Sequence, residues 1–423
     1  TMPSPATVFI PLVQHIGAPA HEVVGIGDTV KKGQKIGEIS AFVSANIHAS
    51  INGTVKAITQ HISPTGNKVK TVVIESDHSE EEAEQVPAPA GALPDGKKML
   101  DQIKECGLAG MGGASFPTHI KLSPPQDKQI DHLIINAAEC EPYLTCDYRL
   151  MMEKTEELIR GIEIFKTILN VKHASIGIEK NKPLAIAAVK KAVHNHGIEV
   201  IDLEVKYPQG AEKQLIYAVT RREVPRSGLP MDVGVVVQNV GTALAAYEAV
   251  MMNKGLYERV LTVSGPGIKQ PKNLRVRIGT PIQAVIDYCG GLIGTTQKII
   301  NGGPMMGITL YDLNAPVIKG TSGIVVLTDR ETSVYNEQPC ISCAHCVDAC
   351  PMRLIPTGII KNTRREFWEE AERFGAMDCI ECGSCAFVCP AKINLIHTIR
   401  LAKSEITKRR RAAAQKQGAP HGK

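Results

Sequence analysis

The sequence predicts a multidomain α+β protein, on three observations. Short β-branched runs broken by turn glycines fill the N-terminal part, strand-like and helix-periodic segments alternate through the middle, and most of the 12 cysteines crowd towards the C-terminus. At 423 residues and 43% hydrophobic the chain can bury several cores, and about 100–200 residues per domain predicts three or four of them.

Charge and hydropathy exclude whole classes of function. The net charge of +5 is small, and its Lys and Arg residues are spread among Asp and Glu, which argues against nucleic acid as a partner. The most apolar stretch, Val233 to Met252, is interrupted by Gln238, Asn239 and Glu248, so no transmembrane segment is expected. The N-terminus carries no charged start, apolar core and cleavage site, so secretion is not expected. The cysteines then read as reduced metal ligands rather than disulfides.

Residues 1–78 hold strand-like runs, Val23 to Val30, Gln34 to Ile39, Gly53 to Ile58 and Val69 to Ile74, joined by Gly-Asp and Asn-Gly turns. Such spacing predicts a β barrel-sandwich. The phrases Gly27-Asp28-Thr29-Val30-Lys31-Lys32-Gly33-Gln34 and Ile51-Asn52-Gly53-Thr54-Val55 resemble the lipoyl and biotinyl carrier fold. Where carriers display a modifiable lysine, Phe42 to His48 has none, so the resemblance implies no swinging arm. Residues 79–96, with Glu80-Glu81-Glu82-Ala83-Glu84 and several prolines, read as a solvated linker.

Residues 97–255 alternate β runs (Leu133 to Asn136, Ser175 to Ile178, Val200 to Val205, Val233 to Val237) with helical periodicity (Glu153 to Leu169, Lys182 to His194, Thr242 to Met252). That alternation predicts an α/β layer around a mostly parallel sheet. Residues 256–328 return to short strands (Arg259 to Gly265, Asn273 to Ile278, Gly323 to Leu327) with a helix near Pro281 to Tyr288, and resemble a β-grasp module of the soluble ligand-binding type. Residues 403–423 form a basic tail with Lys403, Lys408, Arg409, Arg410 and Arg411, read as solvated and frayed, the alternative being contact with anionic lipid or an acidic partner.

Between them, residues 329–402 carry the sharpest signal. Cys340, Cys343, Cys346 and Cys350-Pro351 form one run, and Cys379, Cys382, Cys385 and Cys389-Pro390 repeat it. In this two-cluster ferredoxin spacing three thiolates surround one [4Fe-4S] cubane and the fourth cysteine ligates the other. Cys340, Cys343, Cys346 and Cys389 are therefore assigned to one cluster, and Cys379, Cys382, Cys385 and Cys350 to the other. Zinc also takes four thiolates, but neither the three-residue spacing nor the repeated Cys-Pro is its habit. Ile360, Phe367, Trp368, Ala371 and Phe374 recur at helical spacing between the runs and predict one amphipathic helix whose stripe is core. Cys106, Cys140, Cys146 and Cys289 are scattered and are expected to be buried thiols.

The stretch Cys106 to Thr118 is glycine-rich. Glycines let successive N–H groups approach a phosphate, and Lys121 adds charge, although an isolated cluster of this kind is also what a flexible loop looks like. Its wording, Gly107-Leu108-Ala109-Gly110-Met111-Gly112-Gly113-Ala114-Ser115-Phe116-Pro117-Thr118, resembles the signature of the flavin- and NADH-binding subunit of respiratory complex I. Three further segments match in the same order: Ile135 to Pro142 with Asp147 and Arg149, Tyr207 to Lys213, and Gln238 to Thr242. The resemblance implies that Gly110, Gly112 and Lys121 hold the FMN phosphate, that Asn136 and Glu139 face the flavin, and that Phe116, Glu141 and Glu212 line the nicotinamide nucleotide site. The chain departs from that signature at Ala109 and Met111, which stand where the family has arginines, and at Ala138 and Ala211, which stand where it has acids.

Carrier-like barrel, flavin/NADH domain, β-grasp and two-cluster ferredoxin, in this order, resemble the C subunits of the ion-translocating ferredoxin:NAD oxidoreductase (Rnf) complexes of bacteria, as does the opening Phe9-Ile10-Pro11-Leu12-Val13-Gln14-His15. The resemblance implies a peripheral subunit on the cytoplasmic face of the bacterial membrane. Its partners would be NAD(H), the membrane subunits of the complex and a ferredoxin-like iron–sulfur subunit, and its cofactors FMN and two [4Fe-4S] clusters. Two other readings stay open: a soluble NADH-linked flavoprotein subunit of hydrogenase or formate dehydrogenase type, and an electron wire whose flavin site has decayed.

Overall fold

Sixteen strands and thirteen helices are described in the computed structural model, which covers residues 1–79, 93–332 and 335–417, the last four of these as backbone only. The stretch 80–92, most of the expected linker, lies outside the described residues, as do 418–423 of the basic tail.

The N-terminal strands are β1 (Thr7–Pro11), β2 (His21–Glu22), β3 (Thr29–Val30), β4 (Lys35–Glu38), β5 (Ile47–His48), β6 (Gly53–Ile62) and β7 (Lys68–Ser76). They form two antiparallel sheets, ordered β1-β7-β6-β3 and β2-β4-β5, around Val8, Ile10, Ile36, Ile47, Val55, Val72 and Ile74. Inward residues alternate along β1, as one buried sheet face demands. The expected strand Val23 to Val30 shrinks to Thr29–Val30, because Gly25 and Asp28 close a turn in which the Gly25 N–H donates to the Asp28 carboxylate at 2.7 Å.

The middle segment runs α1 (Gly96–Glu105), α2 (Thr118–Lys121), β8 (His132–Ala137), α3 (Cys146–Glu153), α4 (Thr155–Leu169), β9 (His173–Glu179), α5 (Pro183–Ala192), β10 (Ile198–Leu203), α6 (Glu212–Thr220), β11 (Val235–Asn239) and α7 (Val240–Met252). Its four strands are parallel in the order β10-β9-β8-β11. Apolar cores lie on both faces of the sheet, one from α1, α3, α4, α5 and α7, the other from Leu215 and Ile216 of α6. This explains the near-continuous apolar strands. The apolar stretch from Val233 divides into β11 and α7, and α7 is buried around most of its circumference. Among the described residues no helix is long and apolar enough to cross a membrane.

Strands β12 (Glu258–Ser264), β13 (Lys272–Arg277), β14 (Thr296–Asn301), β15 (Ile308–Thr309) and β16 (Gly323–Thr328), with α8 (Ile282–Tyr288), make a mixed five-stranded sheet ordered β13-β12-β16-β14-β15. The strands β14 and β15 escape sequence reading because the half-exposed TQKIIN of β14 mixes polar and apolar residues and β15 is two residues long.

A second compact unit contains Pro225–Gly228 and the cysteine-rich end of the chain. Its helices are α9 (His345–Asp348), α10 (Pro356–Thr363), α11 (Trp368–Arg373), α12 (Ser384–Phe387) and α13 (Leu395–Gln417). The single amphipathic helix expected over 360–374 is two, α10 and α11. Glu366 takes a left-handed φ of 60° between them, which leaves Phe367 55% exposed while Ile360 and Ala371 stay in the core. The frayed tail expected from Lys403 is also corrected: Ala402 and Ile406 are buried, so packing carries α13 through the basic run.

In the first unit Lys319 is fully buried, and its Nζ donates to two carbonyls, Asn46 O and Gly107 O, each at 2.7 Å. Burial without a carboxylate lowers its pKa to about 7, an effect that the nearby Cys106 opposes. Between that value and the unfolded value near 10.5 the unfolded chain holds a proton that the folded one lacks, so stability should rise with pH above 7. Lys319→Gln should flatten this rise; melting curves between pH 7 and 9 that keep the same slope in the variant would count against the assignment.

Candidate functional site

Parallel sheets bind ligands outside the carboxyl ends of their strands, where the order of connection reverses. Here the chain runs outward from β8 to β9 and β10, then returns to place β11 on the other side of β8, so the reversal falls between β8 and β11. Asn136, next to last in β8, pairs in register with Asn239 at the end of β11.

The glycine-rich loop is held against this crevice. Gly110 N donates to Phe116 O at 2.8 Å, Ala109 bridges Pro117, and Met111 N donates to Thr242 Oγ1 at 2.9 Å. A Cβ on Gly112 would stand 3.0 Å from Asn239 Cβ, so a side chain there would meet the end of β11. Ala109 and Met111, where the resembled family has arginines, are buried, so this loop packs apolar side chains instead of presenting guanidinium groups.

The acidic turn after β8 closes the same crevice. Asn136 Nδ2 donates to Gly210 O at 2.7 Å, and Gly210 N donates to Cys140 Sγ at 3.3 Å, which joins the segment Tyr207 to Lys213 to β8. Cys140 is thus half-buried, unlike Cys106, Cys146 and Cys289, which are buried as expected. The Glu139 carboxylate accepts from Asp147 N at 2.9 Å and Tyr148 N at 3.2 Å, where the unpaired N–H groups of α3 favour negative charge. Asp147 in turn accepts from Asn239 Nδ2 at 2.6 Å. Burial, and then the neighbouring Asp147, raise Glu139 to about 7; burial raises Asp147 as well. Lys121 and Glu212, expected to serve different ligands, are ion-paired at 2.6 Å.

Two anchoring contacts were not assigned from the sequence. The Glu141 carboxylate accepts from Met305 N at 3.0 Å and Met306 N at 2.7 Å, so it clamps the loop between β14 and β15. Gly303 lies so close that a Cβ would stand 2.2 Å from Glu141 Oε2. The other is Asn239, which caps α7 through Gly241 N while holding Asp147. An Asn at a strand-to-helix junction was the available signal for the cap, whereas nothing in the sequence ties Glu141 to residues far along the chain. Gln209 Oε1, Gln238 Nε2 and Thr118 Oγ1, beside Gly210, Asn239 and Pro117, are buried without partners among the described residues. The tight approach at Gly112 and the orphaned polar atoms in these neighbouring segments fit a polar ligand such as FMN.

In the second unit the cysteine runs repeat one backbone trace. Ser342 and Ala344 in the first, and Glu381 and Gly383 in the second, are left-handed, and each run is followed by another left-handed residue, Arg353 or Lys392. Cys350, Cys379, Cys382 and Cys385 line one cavity with Leu354, Ile359, Ile396 and Ile399. Burial, and then the charges of Cys379, Cys382 and Cys350, push Cys385 up to about 12. Cys346 is raised by burial and then, among its causes, by Cys389 and Cys340. Thiolates crowded so are a donor set awaiting positive charge, which iron supplies. Backbone N–H groups of Ser342, Glu381 and Leu354 donate to Cys340, Cys379 and Cys350 sulfurs, each at 3.4 Å. Among the described residues no three His, Cys, Asp or Glu side chains close on a single ion. Cys340 and Cys343 are exposed, whereas Cys382 and Cys385 are buried.

Against known families, residues 1–79 match the RnfC barrel sandwich hybrid domain, 103–248 the Nuo51 FMN-binding domain, 260–309 the SLBB domain and 332–390 the 4Fe-4S dicluster domain. The chain is 50% identical over 99% of its length to the C subunit of the proton-translocating ferredoxin:NAD(+) oxidoreductase complex of Clostridium ljungdahlii, covering 91% of that protein. It belongs to the C-subunit family of ion-translocating ferredoxin:NAD(+) oxidoreductases. The Na(+)-translocating counterpart of Acetobacterium woodii is 47% identical over 96% of the chain and 92% of its own length, and the ion-translocating one of Rhodobacter capsulatus 42% over 97% and 80%. A solved NAD+-reducing [NiFe]-hydrogenase chain shares the fold, with a TM-score of 0.53 at 20% identity over 77% of this chain and 68% of its own. The four-module order expected of the family, from barrel-sandwich through FMN domain and β-grasp to two-cluster ferredoxin, is therefore present.

The Glu141 clamp can be tested apart from any cofactor. Glu141→Gln turns one acceptor into a donor facing an N–H, and should cost about 1.5–3 kcal/mol, the range for hydrogen bonds to charged groups. Chemical denaturation that finds no loss would show the loop to be held by other contacts.

Proposed function

We propose that the chain is the peripheral subunit that exchanges hydride with NAD(H) at a bound FMN and electrons with two [4Fe-4S] clusters, on the cytoplasmic face of a membrane complex that couples ferredoxin:NAD chemistry to ion transport. The names of its relatives support this reading, and so does the match to FMN-binding and dicluster domains. The observation that carries it is the meeting of four separate segments at the β8/β11 crevice. FMN, when bound, supplies the chemistry that joins a two-electron hydride donor to one-electron carriers.

The residues divide the work. Gly110 and Gly112 give a backbone cradle for the FMN phosphate, and Lys121, released from Glu212, gives it a positive charge. Asn136 and Glu139 face the flavin; Glu139, poised at about 7, holds or gives up a proton near neutral pH. Phe116, Glu141 and Glu212 line the nicotinamide nucleotide side. Cys340, Cys343, Cys346 and Cys389 ligate one cluster; Cys379, Cys382, Cys385 and Cys350 ligate the other.

Two substitutions test the division. Gly112→Val should abolish FMN retention and NADH-driven bleaching while the cluster absorption persists. Cys343→Ala should cut iron from about eight to about four per chain, with FMN content unchanged. If the parent protein, anaerobically prepared with full iron, takes up no FMN, the dehydrogenase reading fails and an electron-wire role remains. Zinc in place of iron would remove both.

A further inference from the structure

The two cysteine runs repeat one backbone trace but not one charge. Residues 340–343 read Cys-Ile-Ser-Cys, and residues 379–382 read Cys-Ile-Glu-Cys. Ser342 and Glu381 hold the same left-handed turn, with φ of 56° and 58°, and each donates its N–H to the sulfur two residues before it at 3.4 Å. In the first run the side chain at this turn is a hydroxyl. In the second it is a carboxylate, and two cations of α13 meet it: Lys403 Nζ, and Arg400 Nε at 2.9 Å.

Lys403 goes one step further and donates to Cys379 O at 3.0 Å, so a single ammonium group spans the backbone of a cluster cysteine and the carboxylate beside it. The buried Leu395, Ile399, Ala402 and Ile406 anchor α13 at helical spacing and fix where Lys403 stands. The side chains of Lys403 and Glu381 are only 25% and 28% exposed, so water screens their charges incompletely. Asp378, which precedes Cys379, is matched by Arg226 at 2.6 Å. Glu381 alone is set against Lys403 and Arg400, which leaves a positive excess at the loop.

We propose that Lys403 is a positioning residue that raises the reduction potential of the cluster on the Cys379 set, with Glu381 acting in the opposite sense; this rests on the reading that those cysteines hold a cluster. Reduction adds one electron, and so one negative charge, to the donor set; no bond is made or broken and no proton moves. A cation hydrogen-bonded to the backbone of one ligand favours that added charge, and a carboxylate on the same loop disfavours it. Ser342 supplies neither, so the matching turn of the other run has no such control and the two clusters are unequal. A brace that merely held the loop in shape would give one sign of effect whichever partner of the pair was lost. Opposed charges give two.

The test is a redox titration of the full chain, loaded anaerobically with iron and sulfide and followed by electron paramagnetic resonance, with Cys343→Ala used to identify the signal of the Cys379 set. At a fixed poise Lys403→Gln should lower the ratio of reduced to oxidised cluster on that set by about threefold or more, where tenfold is about 59 mV for one electron. Glu381→Gln, which keeps the N–H bond to Cys379 Sγ, should raise the ratio by a similar factor. Lys403→Arg, which keeps the charge, should stay near the parent, and the other cluster should move less in every variant. Shifts of the same sign in Lys403→Gln and Glu381→Gln, or no shift in either at full iron content, would overturn the assignment. Should Lys403→Gln lose iron, Glu381→Gln decides alone: a raised ratio upholds the proposal and an unchanged one sinks it. A parent protein that holds no reducible cluster would overturn the cluster reading itself, a separate failure.

Discussion

The parallel pairing of β8 with β11 is the constraint on which the nucleotide end of the molecule depends. It sets Asn136 beside Asn239 and leaves a crevice where the strand order reverses, with α3 and α7 on one face of the sheet and α6 on the other. Into that crevice the glycine-rich loop, the acidic turn and the Tyr207 to Lys213 segment are each tied by a hydrogen bond to a strand end or its following helix. A one-residue slip of β8 against β11 would turn the Asn136 side chain away from Gly210 and part it from Asn239.

What was legible in the sequence was local. The cysteine spacing, the turn glycines of the barrel and the apolar β8, β9 and β11 all act within a few residues of themselves, so pattern suffices to find them. The rest depends on chain segments that meet only on folding. The Glu141 clamp reaches Met305 and Met306, Lys121 finds Glu212, and Lys319 joins carbonyls from the barrel and from the loop after α1. No periodicity announces such pairs. The sequence did carry a hint at Ala109 and Met111: their apolar character, read as a departure from a family signature, is the packing that fastens the loop.

The second unit shows the opposite error, a local pattern overruled by packing. The stripe Ile360 to Phe374 has helical spacing, yet the chain turns at Glu366 so that α10 and α11 can each lie against α13. In exchange α13 gains a partner along its length, and the run Lys408 to Arg411, which alone would be a solvated tail, is held helical by Ala402 and Ile406 below it and by Trp368 and Glu372 beside it. Charge repulsion within the run is relieved on one side only.

The same economy governs the acid pair. Burial, and then the neighbouring Asp147, raise the cost of ionising Glu139, and burial raises that of Asp147, while α3 N–H groups, Asn239, Lys182 and Arg259 oppose the shift. The balance leaves one proton that can be held or lost near pH 7, beside the crevice that fits a flavin. A lone buried carboxylate would stay protonated, and a pair with full salt bridges would stay ionised; neither could move a proton at constant pH. A carboxylate pair buried side by side at a crevice, with one member raised to about 7, carries the electrostatic pattern common at proton-exchange sites.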